Sequence, residues 1–124
     1  MTQARSIYEA VGDATFQALT AAFYRRVAAD PLLLPMFPDD LAGSEQRQYL
    51  FLVQYFGGPG TYSELHGHPR LRMRHFPFPI GMAERNAWLG HMLAAIEEDG
   101  VPEPYAGAMR GYFENASLAM MNRS

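Results

Sequence analysis

The chain has 124 residues, no cysteine and a formal net charge of −3, with 48% of its residues hydrophobic. That length fits a single domain over residues 1–124 with a real but modest core. The missing thiols exclude a disulfide framework, a zinc–thiolate site and an iron–sulfur cluster. The acidic balance argues against a nucleic-acid binder, and no apolar run approaches the ~18 residues of a membrane helix. Met1 to Glu9 shows neither the basic start nor the apolar stretch of a signal peptide, which predicts a cytoplasmic protein.

Taken in chain order, the apolar positions Phe16, Leu19, Phe23, Tyr24 and Val27 recur at helical spacing. They predict a helix over 13–29 with Asp13 as its cap. Asp30-Pro31 reads as a second cap with proline in the first turn of a short helix, crowded by Pro35 and Pro38. A third helix is expected over about 43–56, stopped by Gly57-Gly58-Pro59-Gly60. Residues 61–69 read as a loop, followed by a short helix from Pro69 carrying Leu71 to His75. Two prolines make Phe76-Pro77-Phe78-Pro79 extended. Ala87, Trp88, His91, Met92, Ala95 and Ile96 mark a helix over 82–98, ended by Gly100 and Pro102. Tyr105, Met109, Tyr112, Phe113, Ala116 and Met120 mark a last one over about 103–121. No useful segment alternates with period two, so the class is all-α. Short helices around a long Gly- and Pro-rich loop are easier to understand if something other than side chains fills the middle, because self-sufficient bundles prefer long matched helices.

Four histidines are available for ligation. His66 and His68 lie two apart in the expected loop, where solvated side chains are the simplest reading; His91 follows Trp88 by three and reads as a boundary histidine. His75 ends a short helix and is followed by Phe76-Pro77, an apolar frame of the kind an axial haem ligand needs, though on spacing alone an ordinary structural histidine is the simpler reading. Arg70, Arg72 and Arg74 stand beside it, as a solvated basic face or as counter-charges for an anionic ligand, with Arg72 or Arg74 the better placed. On the third helix Ser44, Gln48, Phe51, Leu52 and Tyr55 share a face, and a buried Gln48 amide would need a partner. Tyr24 offers a phenol and Trp88 an indole N–H, each of which also suits an ordinary core. No catalytic dyad, triad or phosphate-binding loop is present.

In order, Tyr8-Glu9-Ala10-Val11-Gly12, Phe23-Tyr24-Arg25-Arg26-Val27, Asp30-Pro31-Leu32-Leu33 and Phe37 to Gly43 are followed by Gln54-Tyr55-Phe56-Gly57-Gly58-Pro59, Gly67 to His75, Phe76 to Ile80 and Ala87-Trp88. From about Ile7 to Asn122 this resembles the truncated haemoglobins, specifically their second group. The resemblance implies a two-over-two helical sandwich around haem b, with His75 as proximal iron ligand and Tyr24 as the distal tyrosine that hydrogen-bonds the diatomic ligand. It implies that Trp88 turns a second N–H toward that ligand and that Phe37 packs on the haem face. Ser44 falls where longer globins carry the distal histidine, and Gln48 where members carry leucine or glutamine; Phe51 and Leu52 would supply the apolar wall. Gly12-Asp13 departs from the Gly-Gly pair of the family, which touches the junction of the first two helices.

Three functions follow from these residues. The first is binding of dioxygen, and of carbon monoxide, nitric oxide or peroxide, at a pocket whose Tyr24, Gln48 and Trp88 donors slow release. Slow release suits a redox enzyme or sensor better than a carrier in oxygen transport. The second is an enzyme at the same haem, a peroxidase or nitric oxide dioxygenase, fed by an external electron donor because no reductase domain is present. It would lack a distal histidine and a carboxylate placed beside His75. The third is a cofactor-free helical interaction module.

Overall fold

The computed structural model describes residues 5–75 and 77–123, and the Arg72 side chain lies outside that description. Among the described residues the regular elements are helical: α1 (Ile7–Val11), α2 (Asp13–Ala28), a 3-10 turn (Leu34–Met36), α3 (Leu41–Tyr55), α4 (Thr61–His66), α5 (Leu71–His75), α6 (Met82–Asp99) and α7 (Tyr105–Ala119). No helix among them is long and apolar enough to cross a membrane.

The stripe expected on α2 is its buried face: Phe16, Leu19, Phe23, Tyr24 and Val27 are all buried. That face packs on α6 and α3, and α6 in turn packs on α7. Met92, Ala95 and Ile96 of α6 and Met109 and Phe113 of α7 complete the core.

Several local expectations are corrected. Asp13 does not cap α2. Gly12 does so, at φ 89°, and the Asp13 carboxylate accepts hydrogen bonds from Tyr8 Oη (3.0 Å), Tyr49 Oη (2.6 Å) and Gln17 Nε2 (2.6 Å). Before it, α1 is set by Ser6, whose Oγ accepts from Glu9 N, and by a Tyr8 N–H to Phe56 O bond of 2.9 Å. Asp30 caps a turn rather than a full helix, its Oδ1 accepting from Leu32 N at 2.9 Å. Asp40 caps α3 through Gly43 N, so that helix begins at Leu41, two residues before the expected start. Within residues 61–69, read as a loop, six residues form α4, which buries Tyr62 against α3 and is tied to it through the Gln54 side chain. Pro77 and Phe78 form a turn, with Phe78 N–H donating to His75 O at 3.0 Å, rather than an extended run; Phe76 lies outside the described residues.

Gly57-Gly58 is more than a helix stop. Gly57 sits at φ 99° against the Ser6 side chain, and a Cβ on Gly58 would fall 2.6 Å from Val53 Cγ1 and 2.9 Å from the Tyr8 ring. Only glycine lets the chain turn this closely between α3 and α1.

Candidate functional site

The sides of α2, α3, α5, α6 and α7 that do not close on one another surround a cavity of about 540 Å³, within the range that buries a small molecule. Tyr24, Phe37, Ser44, Gln48, Phe51, Leu52, Arg74, His75 and Trp88 all line it. Tyr55, expected on the same face of α3, is instead 54% exposed.

His75 stands at the C-terminal end of α5, one helical turn after Leu71, the first residue of that helix. Its Nδ1 lies 2.7 Å from Leu71 O. A carbonyl only accepts, so Nδ1 carries the proton and donates, and the neutral ring keeps its lone pair on Nε2. That is the arrangement in which metal-ligating histidines are held by their surroundings. The segment beyond is clamped from the far end of the chain. Ile80 N–H donates to Asn122 Oδ1 (2.9 Å), Asn122 Nδ2 donates to Phe78 O (2.8 Å), and Ile80 O accepts from the backbone of Asn122 and Arg123.

The polar groups reach the same cavity from α2, α3 and α6. Burial pushes the Tyr24 phenol up to about 12, so it stays an O–H donor across the physiological range. Tyr24 and Ser44 share a hydrogen bond of 2.8 Å. The Tyr24 ring is fixed edge-on between Phe23 (5.3 Å) and Phe37 (5.6 Å). Trp88 is held by Phe23 at 5.4 Å and Phe113 at 5.8 Å. Among the described residues neither Gln48 nor Trp88 makes a side-chain hydrogen bond.

Of the expected arginines, Arg70 does not line the cavity and is exposed, and the Arg72 side chain is outside the described residues. Arg74 lines the cavity, but its Nε donates to Pro69 O at 2.7 Å and Nη2 to His66 O at 3.3 Å, bracing the α4–α5 connection. Sequence reasoning missed Arg47, which also lines the cavity and makes no ion pair or hydrogen bond from its side chain among the described residues. Its position three residues after Ser44 and four before Phe51 places it on that face and was the available signal. Arg85 and Tyr112 were missed as lining residues too; Arg85 is engaged with Ser117 Oγ at 3.0 Å.

The remaining histidines stand apart. His66 and His68 are exposed, and His68 Nδ1 accepts from Arg70 N. His91 Nε2–H donates to Asp30 Oδ2 at 2.6 Å. No group of three His, Cys, Asp or Glu capable of holding a metal ion occurs among the described residues. A largely apolar cavity with one oriented imidazole, and with cationic side chains in its lining, fits a flat apolar metal complex that carries carboxylates and brings its own equatorial ligands. That is a haem.

Comparison with known proteins agrees. The family model for bacterial-like globins matches residues 6–122. The group 2 truncated hemoglobin YjbI of Bacillus subtilis is 43% identical over 117 residues, 94% of this chain and 89% of that protein. Among solved structures, hemoglobin from Chloroflexus aurantiacus superposes with a TM-score of 0.95 at 60% identity, covering 97% of this chain and 100% of its own. The truncated oxygen-avid haemoglobin of Bacillus subtilis gives 0.91 at 42%, over 95% and 100%. The chain therefore belongs to the bacterial-like globin family, and within it to the group II truncated haemoglobins, proteins whose cofactor is haem and whose ligands are small gaseous molecules such as dioxygen.

Proposed function

We propose that this chain holds dioxygen tightly and releases it slowly, through Tyr24, Gln48 and Trp88 as donors in the cavity that His75 also lines. The observation that carries this reading is that all three donors and the oriented imidazole line one cavity. Haem, when bound, would supply the iron at which a diatomic ligand is taken up. His75 Nε2 would hold the iron, with Leu71 O fixing the ring through Nδ1. Arg47, unengaged elsewhere, is the first candidate to meet a carboxylate of the cofactor, with Arg72 or Arg74 as a second. Phe37, Phe51 and Leu52 keep the cavity apolar, and Ser44 is small enough to leave it open.

Tyr24 is a donor throughout the physiological pH range, and its hydrogen bond with Ser44 holds the phenol in place at the cavity. Donors held in place before the ligand arrives stabilise charge that builds on it, and they act more strongly in a dry pocket. Each net hydrogen bond contributes about 0.5–1.5 kcal/mol, or about 2- to 10-fold in release rate. The oxygen avidity of the Bacillus subtilis relative points the same way.

Stopped-flow displacement of dioxygen by carbon monoxide tests the reading. Tyr24→Phe and Trp88→Phe are each expected to release dioxygen about 2- to 10-fold faster than the native protein. A native rate that is fast, and unchanged by both substitutions, contradicts it.

A further inference from the structure

Tyr112 takes no part in the ligand pocket described above, yet it lines the same cavity. Its ring lies against that of Tyr55, with centroids 4.1 Å apart and planes at 34°. Tyr55 is 54% exposed. Among the described residues this is the one tyrosine–tyrosine ring contact, and it runs from the cavity wall to solvent. A phenol is far easier to oxidise by one electron than a phenyl ring, and electron transfer falls steeply with distance, so touching phenols make a relay where a phenylalanine would not.

The other oxidisable rings of the cavity end inside the protein or on rings that are hard to oxidise. Tyr24 is buried and bonded to Ser44. The ring contacts of Trp88 are Phe23 and Phe113. Tyr62 is buried and meets Phe51 and the imidazole of His66. Tyr55 also touches Phe51 of the cavity wall, with centroids 6.1 Å apart, so it is the exposed end of two lines of rings.

We propose that Tyr112 and Tyr55 carry one-electron oxidising equivalents from the haem cavity to the surface, making Tyr55 an oxidation site for phenolic donors too bulky to enter the cavity. The proposal rests on the cavity holding haem, and its oxidant is a hydroperoxide. Hydrogen peroxide reduced in the cavity takes up two electrons and two protons and leaves as two waters. Each electron comes from Tyr112, which is refilled from Tyr55, so Tyr112 recovers its O–H and the proton finally lost goes from the Tyr55 phenol to water. With a phenolic donor present, two donor molecules each give one hydrogen atom and become phenoxyl radicals. Without one, a chain's single Tyr55 gives only the first electron; its phenoxyl takes a hydrogen atom from Tyr55 of a second molecule and then gives the second, and the two Tyr55 phenoxyls join through ring carbons, so that one peroxide and two tyrosines yield one dityrosine and two waters.

The test treats the haem-loaded ferric chain with hydrogen peroxide in the absence of donor, after its Soret band and carbon monoxide shift show the haem in place. The readouts are covalent dimer on a denaturing gel, dityrosine fluorescence and mass mapping of the cross-link. The link is expected at Tyr55, with its yield falling about tenfold in Tyr112→Phe, which keeps the ring and removes only the O–H. Excess tyramine-substituted dextran, a phenol donor too large for the cavity, is expected to suppress the dimer. Rapid-freeze paramagnetic resonance on Tyr55→Phe, a surface change, is expected to show the radical retained on Tyr112. A link mapping to another tyrosine, an undiminished Tyr55 link in Tyr112→Phe, or the same radical in Tyr55→Phe as in the native chain overturns the relay. Haem bound without oxidation of Tyr55 overturns the relay alone; a chain that takes up no haem overturns it together with the ligand-binding reading.

Discussion

At His75 a single hydrogen bond decides which nitrogen is left for a metal, because Leu71 O can accept only from a protonated Nδ1. At Tyr24 burial is the largest cause that keeps the phenol protonated, ahead of the opposing effects of Ser44 and Arg47. Asp13 is the contrasting case. Hydrogen bonds from Tyr49, Gln17 and Tyr8 hold its carboxyl below the ordinary value of 3.8. A depressed folded value stabilises the native state above the unfolded value, and that contribution is lost as pH falls through the folded one. Asp13→Asn is therefore expected to be less stable than native near neutrality, with the difference closing as pH drops below 3.8. Urea denaturation of both proteins across that range measures it. A gap that persists in strong acid would assign the effect to packing.

The long elements were legible at the level of single faces. On α2 every residue of the expected stripe is buried, because the spacing of Phe16 to Val27 has only one helical solution. The short elements were not legible. α4 has six residues and no period to detect; it is held by Tyr62 buried against α3 and by the Gln54 side chain, contacts made in space rather than along the chain. The extended reading of Pro77 and Phe78 failed because proline forbids a helix but permits a turn, and the His75 carbonyl closes one. Of the site, Ser44, Gln48 and Phe51 were visible as one face of α3, and Arg47 was visible by the same spacing but hidden by its charge. Asn122 could not be found, since its partners Phe78 and Ile80 are more than forty positions away, at separations of 44 and 42. It is the clamp that holds the chain beyond α5. Asn122→Ala removes its side-chain bonds to both and is expected to cost about 1–2 kcal/mol, read as a fall of a few degrees in Tm. An unchanged Tm would mean the backbone bonds at Ile80 suffice.

At the scale of the whole molecule, the helices surround the cavity instead of filling it, so the protein without haem lacks packing across its middle. Ligand that binds only the native state adds stability by mass action, about 2.7 kcal/mol at 100 times Kd. The haem-free chain is accordingly expected to melt at a clearly lower temperature than the loaded one by calorimetry; equal midpoints would favour a self-sufficient bundle. The most direct measurement is the absorption spectrum of the native protein and of His75→Gly, ferric and ferrous, with and without carbon monoxide. The account predicts a strong Soret band that shifts with carbon monoxide in the native protein, and that in His75→Gly collapses or returns only when imidazole is added. An unaltered spectrum in His75→Gly, or a folded native protein that takes up no haem, would contradict it.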